Sequence, residues 1–235
     1  MKKKMYVLGV AALVAAMLAL SGVAQSAMWV GAELGGNFAT GSANTNLFGI
    51  STSADLAFRP SVIGGAIIGY DFVNSGFGAY AWPDWMKYFS FATDITYNRL
   101  RLSSLNNISV GPFNLNDSVS VNLDGYCVAW TFLFMAHYGL MPDSEVPGGR
   151  INPYIGVGPA IVWSGFNADG RNISAMNVAL VVEPGIRWVA FPNVSIDTAF
   201  RWRYAAPSYE VVNNVNLNVN PLHQFTFLLR ANYHF

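Results

Sequence analysis

Charge is scarce in this chain: Asp, Glu, Lys and Arg make up 11% of its 235 residues, against about 25% in an ordinary soluble domain. Basic and acidic residues balance at 13 each, which excludes the cationic surface of a nucleic-acid binder. Cysteine is nearly absent. With Cys127 alone no intramolecular disulfide can form, so the fold is held by other means and the thiol is expected to pack as a small strand residue. Long apolar runs are also missing. Beyond the N-terminal segment, Gly, Asn, Ser, Asp or Arg breaks every stretch before the roughly 18 residues that a spanning helix requires. A multi-helix membrane protein is thereby excluded, and 53% hydrophobic with 14% aromatic content excludes a disordered chain.

What is present begins with a targeting segment. Lys2, Lys3 and Lys4 are followed by apolar Val7 to Leu20 and small-residue Ser21 to Ala27, the three parts of a secretory signal peptide. Cleavage is expected after Ala24 or Ser26, making residues 1–26 the signal peptide and 27–235 one β-barrel domain. No cysteine stands near that point, so a lipoprotein anchor is excluded. Without the three lysines, the 13 basic residues fall to 10 against 13 acidic ones, and Lys87 is the remaining lysine.

From Met28 onward the pattern has period two, as a strand between unlike surroundings requires. At the C-terminus Phe225, Phe227, Leu229, Ala231, Tyr233 and Phe235 share one face, and Gln224, Thr226, Leu228, Arg230, Asn232 and His234 the other. The apolar faces carry large aromatics and the polar faces many Gly, Ala and Ser residues, the reverse of a tight soluble core. Eight strands are expected: Met28 to Ala39, Ser61 to Phe72, Tyr88 to Leu102, Val119 to Tyr138, Ile151 to Phe166, Ser174 to Val189, Val194 to Tyr204 and Gln224 to Phe235. About ten residues at a tilt near 45° cover roughly 23 Å, the height of an outer-membrane apolar band. Trp29, Tyr70, Phe89, Tyr126, Tyr138, Trp163, Trp188, Tyr204 and Tyr233 fall near strand ends, where aromatic girdles sit.

With both termini periplasmic, the extracellular connections are Thr40 to Pro60, Ser103 to Ser118, Asn167 to Ile173 and Ala206 to Pro221. The periplasmic ones are Val73 to Lys87, Gly139 to Arg150 and Ala190 to Asn193. Alternation in Val119 to Asp124 and Asn214 to Asn220 reads as strands continuing beyond the bilayer, with Gly111-Pro112 turning one of them. Two readings stand side by side: exposed edges that could recruit another chain by strand addition, and ordinary mobile loops that shield the barrel.

The signal peptide, the alternating strands, the Pro153-Tyr154-Ile155-Gly156-Val157-Gly158 segment, Asp197 to Tyr204 and the terminal Tyr233-His234-Phe235 together resemble the small bacterial outer-membrane β-barrel family. That family includes the opacity proteins, outer-membrane protein X and the transmembrane domain of outer-membrane protein A. The resemblance spans the chain after the signal peptide and implies an all-β, eight-stranded, antiparallel up-and-down transmembrane barrel in the bacterial outer membrane. It further implies that Phe235, with Tyr233 two residues before it, is an assembly signal read by the barrel-assembly machinery.

An eight-stranded barrel encloses room for side chains rather than an open pore. Alternation points Glu33, Asp71, Asp94, His137, Glu183, Arg187, Asp197, Arg201, Arg203 and Arg230 inward. The nine charged members of this set are the candidate lumen network, their mixed signs pairing to offset burial. Centring the turn of Ala190 to Asn193 on Pro192 sets Arg187 opposite Asp197 and Glu183 opposite Arg201, while flush closure of the first and last strands sets Glu33 opposite Arg230.

Enzymatic readings find little support. His137, His223 and His234 form no evident pair, their spacing gives no zinc site, and Gly156-Val157-Gly158 runs on as strand rather than a dinucleotide loop. No catalytic, cofactor-binding or metal-ligating residue and no cofactor is expected. The expected function is a non-enzymatic, monomeric barrel with an envelope-structural role and surface interaction or adhesion through extracellular loops. Its expected partners are outer-membrane lipid, lipopolysaccharide, the barrel-assembly machinery and an extracellular protein, with no nucleic acid. The alternative is a narrow channel for small or hydrophobic solutes.

Overall fold

Each period-two segment must show its small or polar side chains to one environment and its large apolar ones to another, and a sheet closed on itself supplies both. The computed structural model describes residues 28–47, 50–72, 82–110, 113–115, 118–168, 171–212 and 215–235. The expected signal peptide and the Gly111-Pro112 turn lie outside them. In chain order the strands are β1 (Met28–Leu47), β2 (Ile50–Arg59), β3 (Ser61–Asp71), β4 (Phe89–Val110), β5 (Phe113–Leu115), β6 (Val119–His137), β7 (Ile151–Ala168), β8 (Arg171–Phe191), β9 (Val194–Ala205), β10 (Ser208–Val212) and β11 (Val215–His234).

Antiparallel pairing of β11 with β1 closes the sheet into a ring of eight staves. Two of the staves are interrupted. Pro60 separates β2 from β3, and Ala206-Pro207 separates β9 from β10, as expected of a residue with no N–H for the ladder. The outward positions of the lower wall are bare apolar surface, with Val62 70% and Val178 71% exposed beside Leu34, Ile95, Phe227 and Leu229. In water such a surface would drive aggregation; in a bilayer it is the lipid contact. The inward positions carry the buried residues, polar as well as apolar.

The structure alters the expected layout at three places. First, Trp29 is not part of the girdle: it is fully buried in the lumen, because it shares the face of Glu33. Glycine opposite it makes the room. Trp29 pairs with Gly69, where an added Cβ would lie 2.1 Å from the indole.

Second, most of the expected extracellular loops are strand. β1 runs on to Leu47 and pairs with β2 from Thr40↔Ala57 to Leu47↔Ile50, and β4 continues to Val110. Above the bilayer the outer face meets water, so Thr, Ser and Asn replace the large apolar residues and the alternation fades although the ladder persists. The 22 residues of β4 rise roughly 50 Å at barrel tilt, about twice the apolar band. Third, the upper segments expected to offer free edges are paired within the molecule, Val119 to Leu123 on the β4 side and β11 on both sides: Leu105 pairs with Val119, Val219 with Ala43, and Leu217 with Tyr209.

At the other end, the segment from Gly139 to Arg150 folds back on itself. Leu140 and Ile151 exchange backbone hydrogen bonds at 2.8 and 3.2 Å. The Asp143 carboxylate accepts the amide N–H groups of Glu145 and Val146 at 3.0 and 2.7 Å and the Arg150 guanidinium, which also reaches Glu145. Arg150 above all, then the amides, hold the Asp143 carboxyl below its usual range. The turn's support from this group is therefore complete above the ordinary carboxylate range and lost as pH falls through the lowered value. The protection factor of the Val146 amide, its exchange rate taken relative to an unstructured amide at the same pH, should be high at neutral pH and fall on acidification through that value, and Asp143→Asn should abolish the dependence. A second expectation concerns the lumen: Gly69→Ala should displace the Trp29 ring and cost about 1–3 kcal/mol, seen in urea unfolding from vesicles with a shift in tryptophan emission.

Candidate functional site in the lumen

From the periplasmic end upward, the inward side chains sort into layers. In the lowest, Arg187 of β8 donates through Nε to Asp197 of β9 at 3.2 and 3.3 Å and lies 3.6 Å from Asp71 of β3. Its guanidinium sits 4.4 Å from the Trp29 ring, and the Trp29 Nε1–H donates to Asp71 at 3.1 Å. A weakly hydrated, planar cation suits this stacked site, which lysine would not fill.

The middle layer is the densest. Arg201 of β9 donates through Nε to Glu183 of β8 at 2.6 Å and with both terminal nitrogens to Asp94 of β4 at 3.1 and 2.6 Å. Arg230 of β11 reaches Glu33 of β1 at 2.7 Å, Glu183 at 2.5 and 2.8 Å, and the Tyr154 hydroxyl of β7 at 3.0 Å. Glu183 thus lies between two guanidiniums, and β1, β4, β7, β8, β9 and β11 are tied through one cluster. All its charged members are buried. At buried positions water does not screen these pairs, while each charge has lost its hydration.

Above it, Arg203 has no carboxylate partner among the described residues; it donates to Gln224 at 2.9 Å and Thr96 at 3.5 Å. Gln224 in turn donates to Cys127 Sγ at 3.8 Å. Higher still the lumen is filled by Ala43, Leu56, Leu100, Leu102, Ala205, Tyr209, Val219 and Leu222. Tyr209 crosses to Ser164 of β7, their oxygens 2.6 Å apart.

The structure therefore brings Glu33, Asp94, Glu183, Arg201 and Arg230 into one cluster and Asp71, Arg187 and Asp197 into a second below it, and leaves Arg203 with neutral partners. The registers Arg187↔Asp197 and Glu33↔Arg230 are those set by the turn and by flush closure. Residues missed by sequence reasoning are Tyr154, which lay in an expected strand but was not placed among the inward residues, and Tyr209, which lay in the expected connection Ala206 to Pro221. Tyr154, like Trp29, packs against a glycine: a Cβ on its strand partner Gly185 would lie 2.4 Å from the ring.

Below the ionic layers a cavity of about 460 Å³ opens beneath the Val146 to Gly149 turn, lined by His137, Tyr154, Arg187 and His234. His234 and Ser195 hydrogen-bond at 2.9 Å, a serine–histidine contact not anticipated from the sequence. It is not arranged as a triad, since Asp197 accepts from Ser195 rather than orienting the imidazole, and Ser195 is fully buried. No group of three or more His, Cys, Asp or Glu side chains able to hold a metal occurs among the described residues.

No family model and no curated protein matches the chain. Solved structures do. The outer membrane protein OprG from Pseudomonas aeruginosa superposes with a TM-score of 0.52 at 12% identity, over 90% of this chain and 97% of that one. Outer membrane protein AlkL does so with a TM-score of 0.50 at 12% identity, over 92% and 93%. The fold is that of an outer-membrane β-barrel. The barrel also aligns with the outer membrane protease OmpT from Escherichia coli, at a TM-score of 0.45 and 10% identity over 92% and 99%. At such identities the likeness defines architecture, and activity must be argued from this barrel's own residues.

Truncating one partner of the central cluster leaves the others as uncompensated buried charges. Arg201→Met should cost about 3–5 kcal/mol, and restoring balance with Arg201→Met/Asp94→Asn should recover part of it, a non-additivity that urea unfolding of the four members of the cycle in vesicles will measure.

Proposed function

We propose that this barrel is a closed, non-enzymatic and monomeric component of the outer membrane that serves envelope structure and presents a stiff β-walled rim to extracellular partners. The observation that carries the reading is the crossing of the lumen by Arg201, bound on one side to Glu183 and on the other to Asp94. A solute path along the axis must break that contact and strand three buried charges. Interaction then falls to the outer surface and the rim, where β1, β2, β4, β6, β10 and β11 extend above the apolar belt. Partner binding uses rim side chains, since the upper parts of β1, β2, β4 and β11 are paired within the chain. The last strand, ending Tyr233-His234-Phe235, serves as the assembly signal. There Phe235 donates its backbone N–H to Met28 O at 3.0 Å and its ring meets Tyr233 edge-on.

A second reading, a lateral route for small apolar solutes, is favoured by one feature of the wall. Among the described residues β8 pairs with β9 up to Leu180↔Tyr204, and no ladder joins its upper part to β10. Behind that seam the upper lumen is apolar, with Tyr209 across it.

Planar-bilayer recording separates the two. The wild type and Arg201→Gln should show no stepwise conductance, and Tyr209→Ala should not accelerate uptake of a small alkane into proteoliposomes. Channel steps in the wild type, or alkane uptake that Tyr209→Ala increases, would defeat the closed-barrel reading.

A further inference from the structure

The ten basic residues that follow the signal peptide are unevenly placed. Four arginines fill the lumen, Lys87 and Arg150 stand at the periplasmic end, Arg171 begins β8, and three, Arg59, Arg99 and Arg101, gather on one patch of the outer wall. Their outward direction follows from their neighbours, since Asn98, Leu100 and Leu102 are buried in the lumen and Phe58 packs against the core. Arg59 and Arg101 are direct cross-strand partners, and Arg99 stands two residues below Arg101 on the same face of β4. Like charges set opposite one another on a sheet face destabilise it. Arg101 has a carboxylate 3.0 Å away in Asp124, whereas Arg59 and Arg99 form no ion pair among the described residues.

Height on the wall says what these charges meet. Immediately below Arg99 on the outer face is Tyr97, 51% exposed, then Ile95, and directly opposite Arg99 on β6 is Tyr126. Arg99 is thus level with the aromatic girdle, and Arg59 and Arg101 stand one step above it, where hydrocarbon gives way to headgroups. This end lies opposite the two termini, on the side of the long strand extensions, so the leaflet is the external one.

We infer that Arg59, Arg99 and Arg101 form a binding site for the phosphate groups of the outer-leaflet glycolipid, lipopolysaccharide. A phosphate offers three acceptor oxygens to guanidinium forks that accept no proton themselves. Held between Arg59 and Arg101 it converts a repulsive cross-strand pair into a bridged one, while Tyr97 and Tyr126 receive the start of the acyl chains and the sugar edge. Asp124, opposite Arg101 on β6, limits the net charge of the patch, which disfavours indiscriminate adsorption of anions.

The test uses the full-length mature barrel in an uncharged detergent, titrated with lipid A carrying its phosphates and with the same lipid enzymatically dephosphorylated, retention being read by native mass spectrometry. The wild type should prefer the phosphorylated form, and Arg59→Gln/Arg99→Gln should weaken that binding by about tenfold or more. Arg150→Gln at the opposite end should change nothing, and inorganic phosphate at equal concentration should not compete. Thermal unfolding supplies a readout in which a merely structural role has the wrong sign. Arg59→Gln should raise the unfolding temperature in lipid-free detergent, by relieving repulsion, and lower it in vesicles containing lipid A. Equal retention of both lipids by the wild type, undiminished retention by the double variant, or competition by free phosphate would overturn the assignment.

Discussion

Glu183 is held between Arg201 and Arg230 near the middle of the lumen, and the rest of the barrel is arranged around that sharing. Each guanidinium carries a second acid, Asp94 for one and Glu33 for the other, so a single cluster runs from the first strand through the fourth, eighth and ninth to the last. An isolated charge at this depth is untenable, and attraction between two ions rarely repays their lost hydration. What the cluster gains is number and geometry: Arg201 grips Asp94 with two parallel bonds, and Glu183 accepts from both arginines. Its members sit on strands far apart in sequence, so the cluster is complete only when the sheet has closed. Closure and charge satisfaction are one event.

This arrangement divides the interior by chemistry. Toward the periplasm lies an open pocket under a turn fastened by Asp143 and Arg150; at the centre lies the ionic belt; above it the lining becomes apolar and Tyr209 reaches in to Ser164. Such a sequence of layers is poorly suited to carrying ions along the axis, and it directs attention to the wall and the rim. The wall is not uniform either. Its apolar band gives way at Tyr97 and Tyr126 to three arginines, at the level where the composition of the membrane itself changes.

The alternation of residues in β9 and β11 made both faces of those strands legible from sequence, because below the membrane surface one side meets lipid and the other a filled lumen. The pairing of Arg187 with Asp197 was legible for a further reason: a two-residue turn leaves little freedom of register, and charge matching chooses within it. Trp29 and Tyr154 escaped that logic. Residue type argued for the outer wall, parity for the inside, and parity prevailed because Gly69 and Gly185 across the ladder leave a floor on which a ring can lie. Neither glycine announces its partner in sequence, since the partners are 40 and 31 residues away. The upper parts of β1, β2 and β4 were hidden because their outer face meets water and carries Thr, Ser and Asn, which weakens the contrast with the lumen side, whereas Val119 to Asp124 and Asn214 to Asn220 kept a legible alternation. The arginine patch was equally hidden, as Arg59 meets Arg101 through a register that bulges near Pro60.

The doubled height of the wall has a mechanical consequence. The strands that run unbroken from the lower wall to the rim, β1, β4, β6 and β11, transmit a load applied outside directly into the membrane-embedded ladder. There the load acts along the strands and stretches many interstrand hydrogen bonds in shear at once, rather than peeling them apart singly as a pull on a flexible loop would. A load taken up at such a rim is shared by many strands of the cylinder at once.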